Sequence, residues 1–427
     1  MKKYVEALGG AVEKQVTAAP ERARDILALA YSWVHFSGTH RLGSGVLPAY
    51  DRLNGAVAGT MVDSLRHPKK TVMVNIFLPC ELLHALGVQP MFPEGMSAYV
   101  SCTACQRPFG EAAEAAGVPE TFCSYHKTML GLAESGVLPA PLMIANTTLA
   151  CDANQLSFRR LAELYGVPHT VIDIPHDCSE DAVDYVAGQL RTLGVQLEDL
   201  CHKKLDPQAL RETVARSQRT LETYRAYMER RGAVTLPVTM TGELCSMIAT
   251  HVMLGRPESE AYARQLLRAA ERAPALDEKN RKKRIFWIHT LPNWQDSMKK
   301  LLETGGRCEL VGADVASESL LDLDSERPYE SMARRVVYSA SNGLGGRRVE
   351  EAVRRAKQTK ADGVVLFCHW GCKQTLGLSQ LAKSRLEEEG FPTLVLDGDG
   401  CDGRNVADGQ MVTRLGAFLE QLEGKRA

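Results

Sequence analysis

Short apolar runs separated by helical segments dominate the hydrophobic pattern of the first half of the chain. The runs fall at residues 71–77, 141–145 and 171–174, and helical segments at 127–134 and 156–165 separate them. Continuous apolar runs of this length are typical of strands buried on both faces of a parallel sheet. The alternation of such strands with helices predicts a doubly wound α/β lobe.

A second lobe of the same style is predicted near the end of the chain. Its strands are expected at residues 284–289, 363–368 and 392–396, with helices over 374–389 and 411–422. No internal repeat of 20–50 residues is evident, so the two lobes resemble each other only in style.

Helical regions complete the predicted organisation. Residues 22–34 carry apolar positions at helical spacing, and residues 206–273 are charge-rich without a convincing strand. A basic stretch at residues 279–284 is interpreted as a solvated linker. We therefore predict a helical N-terminal region (residues 1–70), a first α/β lobe (71–205), a helical connecting segment (206–280) and a second α/β lobe (281–427).

Composition and charge exclude several classes of protein. The 427 residues are 44% hydrophobic and 24% charged, which is ordinary for a globular chain. Lys and Arg number 51 against 52 Asp and Glu, which argues against a nucleic-acid binder that depends on a strong basic field. No apolar stretch approaches the ~20 residues of a membrane span, and no signal-peptide pattern follows the first residues. We expect a cytoplasmic protein that binds neither nucleic acid nor a membrane.

Twelve cysteines need an explanation in a compartment that keeps thiols reduced. Several of them end or follow predicted strands, namely Cys80, Cys151, Cys368, Cys372 and Cys401. In open α/β sheets, ligands bind outside the carboxyl ends of the strands. We therefore expect a metal or iron–sulfur site there. The chain lacks the C-x-x-C-x-x-C run of a bacterial ferredoxin, so a cluster would draw thiolates from distant segments and lie between the lobes.

Two local motifs leave other hypotheses open. Cys102 and Cys105 form a C-x-x-C that could bind zinc, act as a redox dithiol or supply half of a cluster site. The second C-x-x-C of a zinc ribbon is absent. Residues 398–403 fit G-x-G-x-x-G after a strand, but the two aspartates in that loop and Asp397 directly before it would repel a pyrophosphate. No G-x-x-x-x-G-K-S/T loop occurs, so we do not expect the chain to hydrolyse ATP itself.

Four segments are familiar when they are taken together in this order. They are residues 122–131 (FCSYHKTMLG), 148–154 (TLACDAN), 367–377 (FCHWGCKQTLG) and 396–405 (LDGDGCDGRN). The chain resembles the 2-hydroxyacyl-CoA dehydratase family, which also includes subunits of ATP-dependent benzoyl-CoA reductase. The likeness spans roughly Cys80 to the C-terminus. The length and the last two segments are most similar to the larger, α-type subunit.

The resemblance implies a heterodimeric enzyme in which each subunit holds one 4Fe-4S cluster through three cysteines. Matched motif to motif, these cysteines are Cys123, Cys151 and Cys372. Cys123 precedes a predicted helix whose N-terminal dipole would favour a thiolate. The remaining cysteines would be core thiols or, as in some relatives, ligands of a larger double-cubane cluster. They are Cys80, Cys102, Cys105, Cys368 and Cys401.

The resemblance also implies the reaction, which eliminates water from an (R)-2-hydroxyacyl-CoA to give a 2-enoyl-CoA in anaerobic fermentation. The β-proton is unactivated, and ordinary acid–base catalysis supplies only ~10²–10⁴-fold. In such families an ATP-hydrolysing iron–sulfur activator adds one electron to the thioester. The resulting ketyl radical expels the α-hydroxyl group, and the electron is then recovered. A homologous β-type subunit is the expected partner.

Side chains that assist this chemistry are less strongly marked in the sequence. Ser37 is the first candidate for a hydrogen bond to the substrate near the cluster. For CoA, Arg41, Gly43 and Gly45 are candidate contacts. The acyl chain of the substrate cannot be predicted from the sequence.

Candidates for proton transfer have ordinary structural explanations as well. His126 and His369 flank proposed cluster ligands, but buried histidines are more often structural than proton carriers. Glu81 could be a base, although carboxylates are common at helix starts. Two rival hypotheses are a double-cubane or benzoyl-CoA-reductase-like reductase, and a non-catalytic scaffold with zinc at Cys102 and Cys105.

Overall fold

The computed structural model describes residues 2–40 and 46–424 of the chain. Two sets of strands alternate with helices along it. The strands are β1 (Thr71–Val74), β2 (Gln89–Met91), β3 (Met143–Thr147), β4 (His169–Ile172), β5 (Arg284–Ile288), β6 (Glu309–Ala313), β7 (Gly363–His369) and β8 (Thr393–Gly398). The helices up to β5 are α1 (Lys2–Val16), α2 (Pro20–Thr39), α3 (Pro48–Arg66), α4 (Glu81–Leu86), α5 (Pro93–Cys102), α6 (Arg107–Ala115), α7 (Ser124–Glu134), α8 (Asp152–Tyr165), α9 (Glu180–Cys201), α10 (Pro207–Arg231), α11 (Met240–Thr250) and α12 (Pro257–Arg272). The later helices are α13 (Asp296–Leu302), α14 (Pro328–Val337), α15 (Gly346–Gln358), α16 (Lys373–Glu388) and α17 (Asp408–Gly424).

Both sheets are four-stranded and have the same strand order. The first runs β2-β1-β3-β4 and the second β6-β5-β7-β8, and all pairs are parallel. In each sheet the second strand along the chain lies on one side of the first, and the later two strands lie on the other side. The direction in which strands are added therefore reverses between β1 and β3 in the first sheet and between β5 and β7 in the second. Ligands of doubly wound sheets bind at such switch points. The predicted fold of two parallel α/β lobes with a helical N-terminal region is confirmed.

The apolar runs form strands because they are buried on both faces. Every residue of β1, β5 and β7 is buried, as a parallel sheet covered by helices requires. The sequence analysis missed β2 and β6. The first has only three residues and includes Pro90, and the second begins with Glu309 and contains Gly312. Neither segment gives a continuous apolar run, so neither shows a strand pattern.

The predicted helical regions contain α1–α3 and α10–α12, and an isolated bridge joins Val234 to Ala275. One hydrophobic core includes residues from Val12 to Leu422. The four-part division of the chain therefore stays a prediction. Within residues 2–40 and 46–424, none of the helices combines the length and the apolar character that crossing a lipid bilayer would require.

The basic stretch at residues 279–284 is not solvated throughout, so the linker interpretation is wrong at its end. Arg284 is fully buried as the first residue of β5. Its guanidinium pairs with Glu309 at 3.2 Å and donates to the Arg231 carbonyl at 2.9 Å. A buried cation needs such partners to offset the loss of water, and these contacts attach β5 to the helical segment.

Candidate functional site

Three cysteines occupy the same position at three different helices. Cys123, Cys151 and Cys372 are the N-cap residues of α7, α8 and α16, and none of their side chains caps its helix with a hydrogen bond. Burial raises the pKa of the Cys123 thiol well above its usual value, and the thiols of Cys372 and Cys151 raise it further. Contacts of the adjoining residues place the three cysteines in neighbouring segments. Gly371, beside Cys372, packs against the Cys123 backbone, and Lys373 pairs with Asp152, beside Cys151, at 3.1 Å.

The switch points of the two sheets explain this convergence. Cys151 follows β3 and Cys372 follows β7, each within a few residues of the carboxyl end of its strand. Between β7 and Cys372 the chain turns at Gly371, whose φ is 75°. The Gly371 backbone lies against that of Cys123, so a Cβ at this position would overlap the Cys123 backbone. Glycine meets both requirements because it lacks a Cβ and tolerates positive φ.

We expect Gly371→Ala to displace Cys372 from Cys123 and to lower the iron bound per chain. Forcing alanine into this conformation costs on the order of 1–3 kcal/mol before the overlap is counted. Gly390→Ala is a matched control, because Gly390 has φ 88° but open space where its Cβ would lie. Iron content and thermal unfolding of both variants separate the effect of backbone strain, which both share, from the effect of overlap with Cys123, which only Gly371→Ala has. Equal iron in the two variants would contradict the packing role of Gly371.

His369 lies between Cys123 and the C-terminal loop. Its Nδ1 atom accepts a hydrogen bond from the Gly400 N–H at 3.0 Å, so the ring proton is on Nε2. Nε2 lies 3.4 Å from both the Cys123 Sγ and the Ser124 Oγ. Burial lowers the pKa of His369, which keeps the ring neutral. The ring is therefore placed to donate an N–H to a Cys123 thiolate.

His289 has the corresponding place beside the third cysteine. It follows β5 directly, and its Nε2 lies 3.4 Å from the Cys372 Sγ. Burial, with the nearby Arg348 cation, lowers the pKa of His289 to about 3. Its ring stacks on that of His369 with centroids 5.9 Å apart. The sequence analysis did not select His289, although its position after a buried strand is the signal that selected the cysteines.

The donor set suits a multi-iron cluster. In the described part of the chain, no three His, Cys, Asp or Glu side chains are placed to hold one metal ion. Three soft thiols from neighbouring segments are the ligand type that iron–sulfur clusters use. Burial raises the pKa of Cys151 to about 12, so thiolates here need nearby positive charge. Three helix N-termini supply part of that charge, and bound iron would supply the rest.

A cavity of about 350 Å³ lies between the lobes, next to Cys151. The loop after β3 lines it with Thr148, Leu149 and Ala150. From the second lobe it is lined by parts of 340–345 and 374–378 and by Arg348. Polar groups and both lobes therefore meet beside the cysteines, as is usual for a small-molecule site.

Arg348 supplies a fixed positive charge to this cavity. It is 5% exposed, donates from Nε to Asp314 at 2.7 Å and from an Nη atom to Gln374 at 2.6 Å. Burial lowers the pKa of Arg348, but the Asp314 carboxylate outweighs this effect and raises it, with Glu318 and Cys372 adding to the increase. A guanidinium held in this way can bind a carbonyl or carboxylate oxygen of a ligand.

Glu94 is a shielded carboxyl near Cys151 that the sequence analysis did not select. It lies in the first turn of α5, directly after β2, and its Oε2 atom is buried with no hydrogen-bond partner among the described residues. Burial raises the pKa of Glu94 to about 8. Its charge in turn contributes to the raised pKa of Cys151. Glu94 could not be selected from the sequence because β2, which precedes it, shows no strand pattern.

The predicted substrate contact lies in the helical N-terminal region. Ser37 is in α2, where within the described residues its hydroxyl donates only to the Val34 carbonyl at 3.0 Å. A contact between Ser37 and the substrate therefore stays a prediction. The proposed CoA contacts Arg41, Gly43 and Gly45 lie outside the described residues.

Two other residues considered for proton transfer have structural partners or are held neutral. Glu81 is fully buried, pairs with Arg335 at 3.2 Å and accepts a hydrogen bond from Ser217 at 3.0 Å. These bonds explain Glu81 without a role as base. Burial lowers the pKa of His126 to about 4, so its ring is neutral near pH 7.

The remaining cysteines predicted at strand ends or in the C-x-x-C are distributed over separate contacts. Cys80 donates to the Leu78 carbonyl, Cys105 contacts Thr103 and Cys401 accepts from Ser101. The described residues place no further ligands beside Cys102 and Cys105 that would complete a zinc site. Four of the five are buried and Cys102 is half-buried, which fits core thiols: Cys80, Cys102, Cys105, Cys368 and Cys401.

Comparison with known proteins adds independent information. Residues 75–422 match the family model described as 2-hydroxyglutaryl-CoA dehydratase, D-component. The chain is 26% identical to the (R)-phenyllactyl-CoA dehydratase alpha subunit of Clostridium sporogenes over 370 residues, which cover 82% of this chain and 88% of that subunit. It is 23% identical to the (R)-2-hydroxyisocaproyl-CoA dehydratase alpha subunit of Clostridioides difficile over 368 residues, or 82% and 89% of the two chains. It is also 23% identical to the lactoyl-CoA dehydratase subunit alpha of Anaerotignum propionicum over 384 residues, or 82% and 90%. The resemblance seen in the sequence is confirmed, and the chain belongs to the 2-hydroxyglutaryl-CoA dehydratase D-component family.

Proposed function

We propose that the chain is the cluster-bearing α-type subunit of an (R)-2-hydroxyacyl-CoA dehydratase. The observation that carries this proposal is the convergence of Cys123, Cys151 and Cys372 at three helix N-termini beside an interlobe cavity. The similar alpha subunits are named for thioesters of different 2-hydroxy acids, which supports the substrate class. Because those names differ in the acyl chain, the proposal stops at the class.

The proposed cofactor is a 4Fe-4S cluster held by Cys123, Cys151 and Cys372. When bound, a cluster with one iron free of cysteine supplies a Lewis acid and a centre for one electron. Helix dipoles would stabilise the three thiolates, and His369 would donate its Nε2–H to the Cys123 thiolate. The His289 Nε2 atom lies 3.4 Å from the Cys372 Sγ atom. Burial of these groups also excludes water.

The proposed reaction requires other proteins besides this chain. Removal of the unactivated β-proton needs prior injection of one low-potential electron, and the sequence contains no phosphate-binding loop that could couple this step to ATP. We therefore include a homologous β-type subunit and a separate ATP-hydrolysing iron–sulfur activator in the proposal. A cytoplasmic, anaerobic setting stays a prediction.

The proposal assigns two side chains of this subunit to act on a bound thioester. Arg348 would bind the thioester carbonyl oxygen and withdraw electron density from the carbon that accepts the electron. Glu94 would take the β-proton, since its Oε2 has no partner among the described residues and its pKa is raised to about 8. A base with a pKa near the working pH is the most effective proton carrier.

We expect Glu94→Gln to lower kcat by ~10²–10⁴-fold, the usual contribution of a general base. A base must be ionised, so wild-type kcat should rise with pH until it levels off above the raised pKa of about 8. The variant should keep its iron and lose this pH dependence. Steady-state rates of both proteins at several pH values test the assignment. An unchanged profile in the variant would contradict it.

The titration of the Glu94 carboxyl should also change the stability of the fold with pH. Burial raises the pKa of Glu94 from 4.5 to about 8, so stability from the protonated carboxyl is fully present below pH 4.5 and is lost as pH rises towards 8. Glu94→Gln removes this loss. The difference in melting temperature between variant and wild type should therefore grow in favour of the variant over that pH range. A constant difference would contradict the raised pKa.

Anaerobic analysis of iron and acid-labile sulfide tests the proposed cofactor. We expect about four irons and four sulfides per chain, as one 4Fe-4S cluster requires. About eight irons would favour the double-cubane reductase instead. Zinc without iron would contradict both proposals and would favour the scaffold hypothesis.

A further inference from the structure

Three polar side chains connect the protein interior with the cavity. Ser341 lines the cavity and donates its hydroxyl hydrogen to the Glu318 Oε2 atom. The Glu318 Oε1 atom lies 3.3 Å from the His251 Nε2 atom. Glu318 and His251 are only 9% and 3% exposed, and Ser341 is the member of the three that lines the cavity.

The contacts of His251 are compatible with a proton that it shares with Glu318. Its Nδ1 atom lies 2.8 Å from the Met247 carbonyl oxygen and 3.1 Å from the Thr250 Oγ1 atom. A carbonyl only accepts, so a hydrogen on Nδ1 satisfies the first contact. A second hydrogen, on the ring or on the carboxyl, satisfies the contact between Nε2 and Glu318, and the relay described below uses this second hydrogen.

Two serines donate to Glu318, and they differ in their access to the cavity. Ser339 donates to the Oε1 atom at 3.1 Å, and Ser341 donates to the Oε2 atom. The Phe77 and His251 rings form a T-shaped pair with centroids 5.9 Å apart. Of the two serines, only Ser341 is among the residues that line the cavity. A proton from the Glu318–His251 pair would therefore reach the cavity through the Ser341 hydroxyl.

We propose that Ser341, Glu318 and His251 form a proton relay that protonates the hydroxyl group leaving C2 of the substrate. This inference rests on the proposed dehydratase function. The C2–O bond breaks with its electron pair on oxygen, and the Ser341 proton forms the new O–H bond of water. Ser341 regains a proton from the Glu318–His251 pair. The proton from C3 goes to Glu94, which releases it to solvent, and the relay takes up one proton from solvent through the open cavity before the next turnover. Since the electron is recovered as well, the net change is the loss of one water.

The relay and Glu94 divide the two proton transfers between different groups. Hydroxide is a poor leaving group, and a general acid aligned with it contributes ~10²–10⁴-fold. Glu94 lies in α5 of the first lobe, whereas Ser341 follows α14 in the second. An acid and a base on separate elements can act at adjacent carbons of one substrate without exchanging their protons directly. Ser341 would contact the substrate. Glu318 and His251 would orient the Ser341 hydroxyl group and return a proton to it.

The test compares Ser341→Ala with Ser339→Ala in the complete enzyme with its partner and activator. For a 2-hydroxyacyl-CoA we expect kcat to fall ~10²-fold in Ser341→Ala, with a smaller change in KM, and to stay near wild type in Ser339→Ala. Ser341→Thr keeps the hydroxyl and should restore most of the rate. With the corresponding 2-chloroacyl-CoA, whose chloride leaves without a proton, Ser341→Ala should match the wild type.

Glu318→Gln should resemble Ser341→Ala, because an amide cannot pass on a proton. The cluster absorption of every variant must equal that of the wild type, which excludes misfolding. Two results would overturn the relay. One is an equal loss of kcat in Ser341→Ala and Ser339→Ala, and the other is a loss of kcat in Ser341→Ala that is as large on the 2-chloroacyl-CoA as on the 2-hydroxyacyl-CoA. In both cases, dehydration by the wild-type enzyme would still support the proposed function. Absence of dehydration by the wild-type complex would overturn the proposed function and the relay together.

Discussion

Replacement of Cys123, Cys151 or Cys372 by alanine is expected to abolish cluster binding and dehydration. Each thiolate comes from a different segment, and each stands at its own helix N-terminus. Two remaining thiolates cannot hold a cluster that is bound through three cysteines. Visible absorption and iron per chain, measured anaerobically, should fall to background in all three variants.

A cysteine elsewhere in the core provides the matched control for this experiment. Cys308 is 2% exposed and donates to the Leu301 carbonyl at 3.3 Å. Cys308→Ala removes a buried thiol of the same size but no proposed ligand, so iron content should stay at the wild-type value. Retention of full iron in any of the three ligand variants would contradict the assignment and would direct attention to the other strand-end cysteines.

Arg335→Met is expected to lower the free energy of unfolding by ~3–5 kcal/mol. Arg335 in α14 pairs with Glu81 in α4, and both side chains are at most 3% exposed. Removal of the cation leaves the Glu81 carboxylate buried without compensation, and this uncompensated charge is the source of the cost. The double variant Glu81→Gln/Arg335→Met should recover part of the loss, because it removes the buried charge.

Lys360→Met is the control for that variant, since it breaks an ion pair at the surface. Lys360 and Glu278 lie 2.8 Å apart and are each 53% exposed. Exposed pairs contribute ~0–1 kcal/mol, so this change should be small. Chemical denaturation of the three variants and the wild type gives the comparison. Equal losses in Arg335→Met and Lys360→Met would contradict the structural importance of the buried pair.

The sequence predicts those parts of the site that follow strongly apolar strands. Cys151 and Cys372 lie just beyond β3 and β7, and parallel strands bring such positions to one edge of a sheet. The glycine-rich loop at 398–403 is a further example. Its aspartates argue against a nucleotide site, and in the structure Asp399 is buried and accepts hydrogen bonds from Ser124 Oγ at 2.6 Å and the Cys401 N–H at 2.7 Å.

Other parts of the site depend on contacts that no local pattern reveals. Glu94 follows a strand too short to recognise, and its raised pKa comes from burial that only the tertiary structure provides. The relay joins His251, at the end of α11, to Glu318 and Ser341 from loops of the second lobe. In the sequence these are ordinary polar residues near turns. The proposed relay depends on their burial and on the hydrogen bonds that connect them to the cavity.

Anaerobic dehydration by the reconstituted enzyme tests the proposed function most directly. The chain is combined with its homologous partner subunit, the activator, ATP and a reductant, and conversion of a 2-hydroxyacyl-CoA is followed by mass spectrometry. We expect a 2-enoyl-CoA that forms only when all three proteins are present and that is absent when Cys372→Ala replaces the wild-type chain. Formation of a reduced acyl-CoA in place of the 2-enoyl-CoA, or no conversion of any 2-hydroxyacyl-CoA by a fully iron-loaded complex, would contradict the dehydratase assignment.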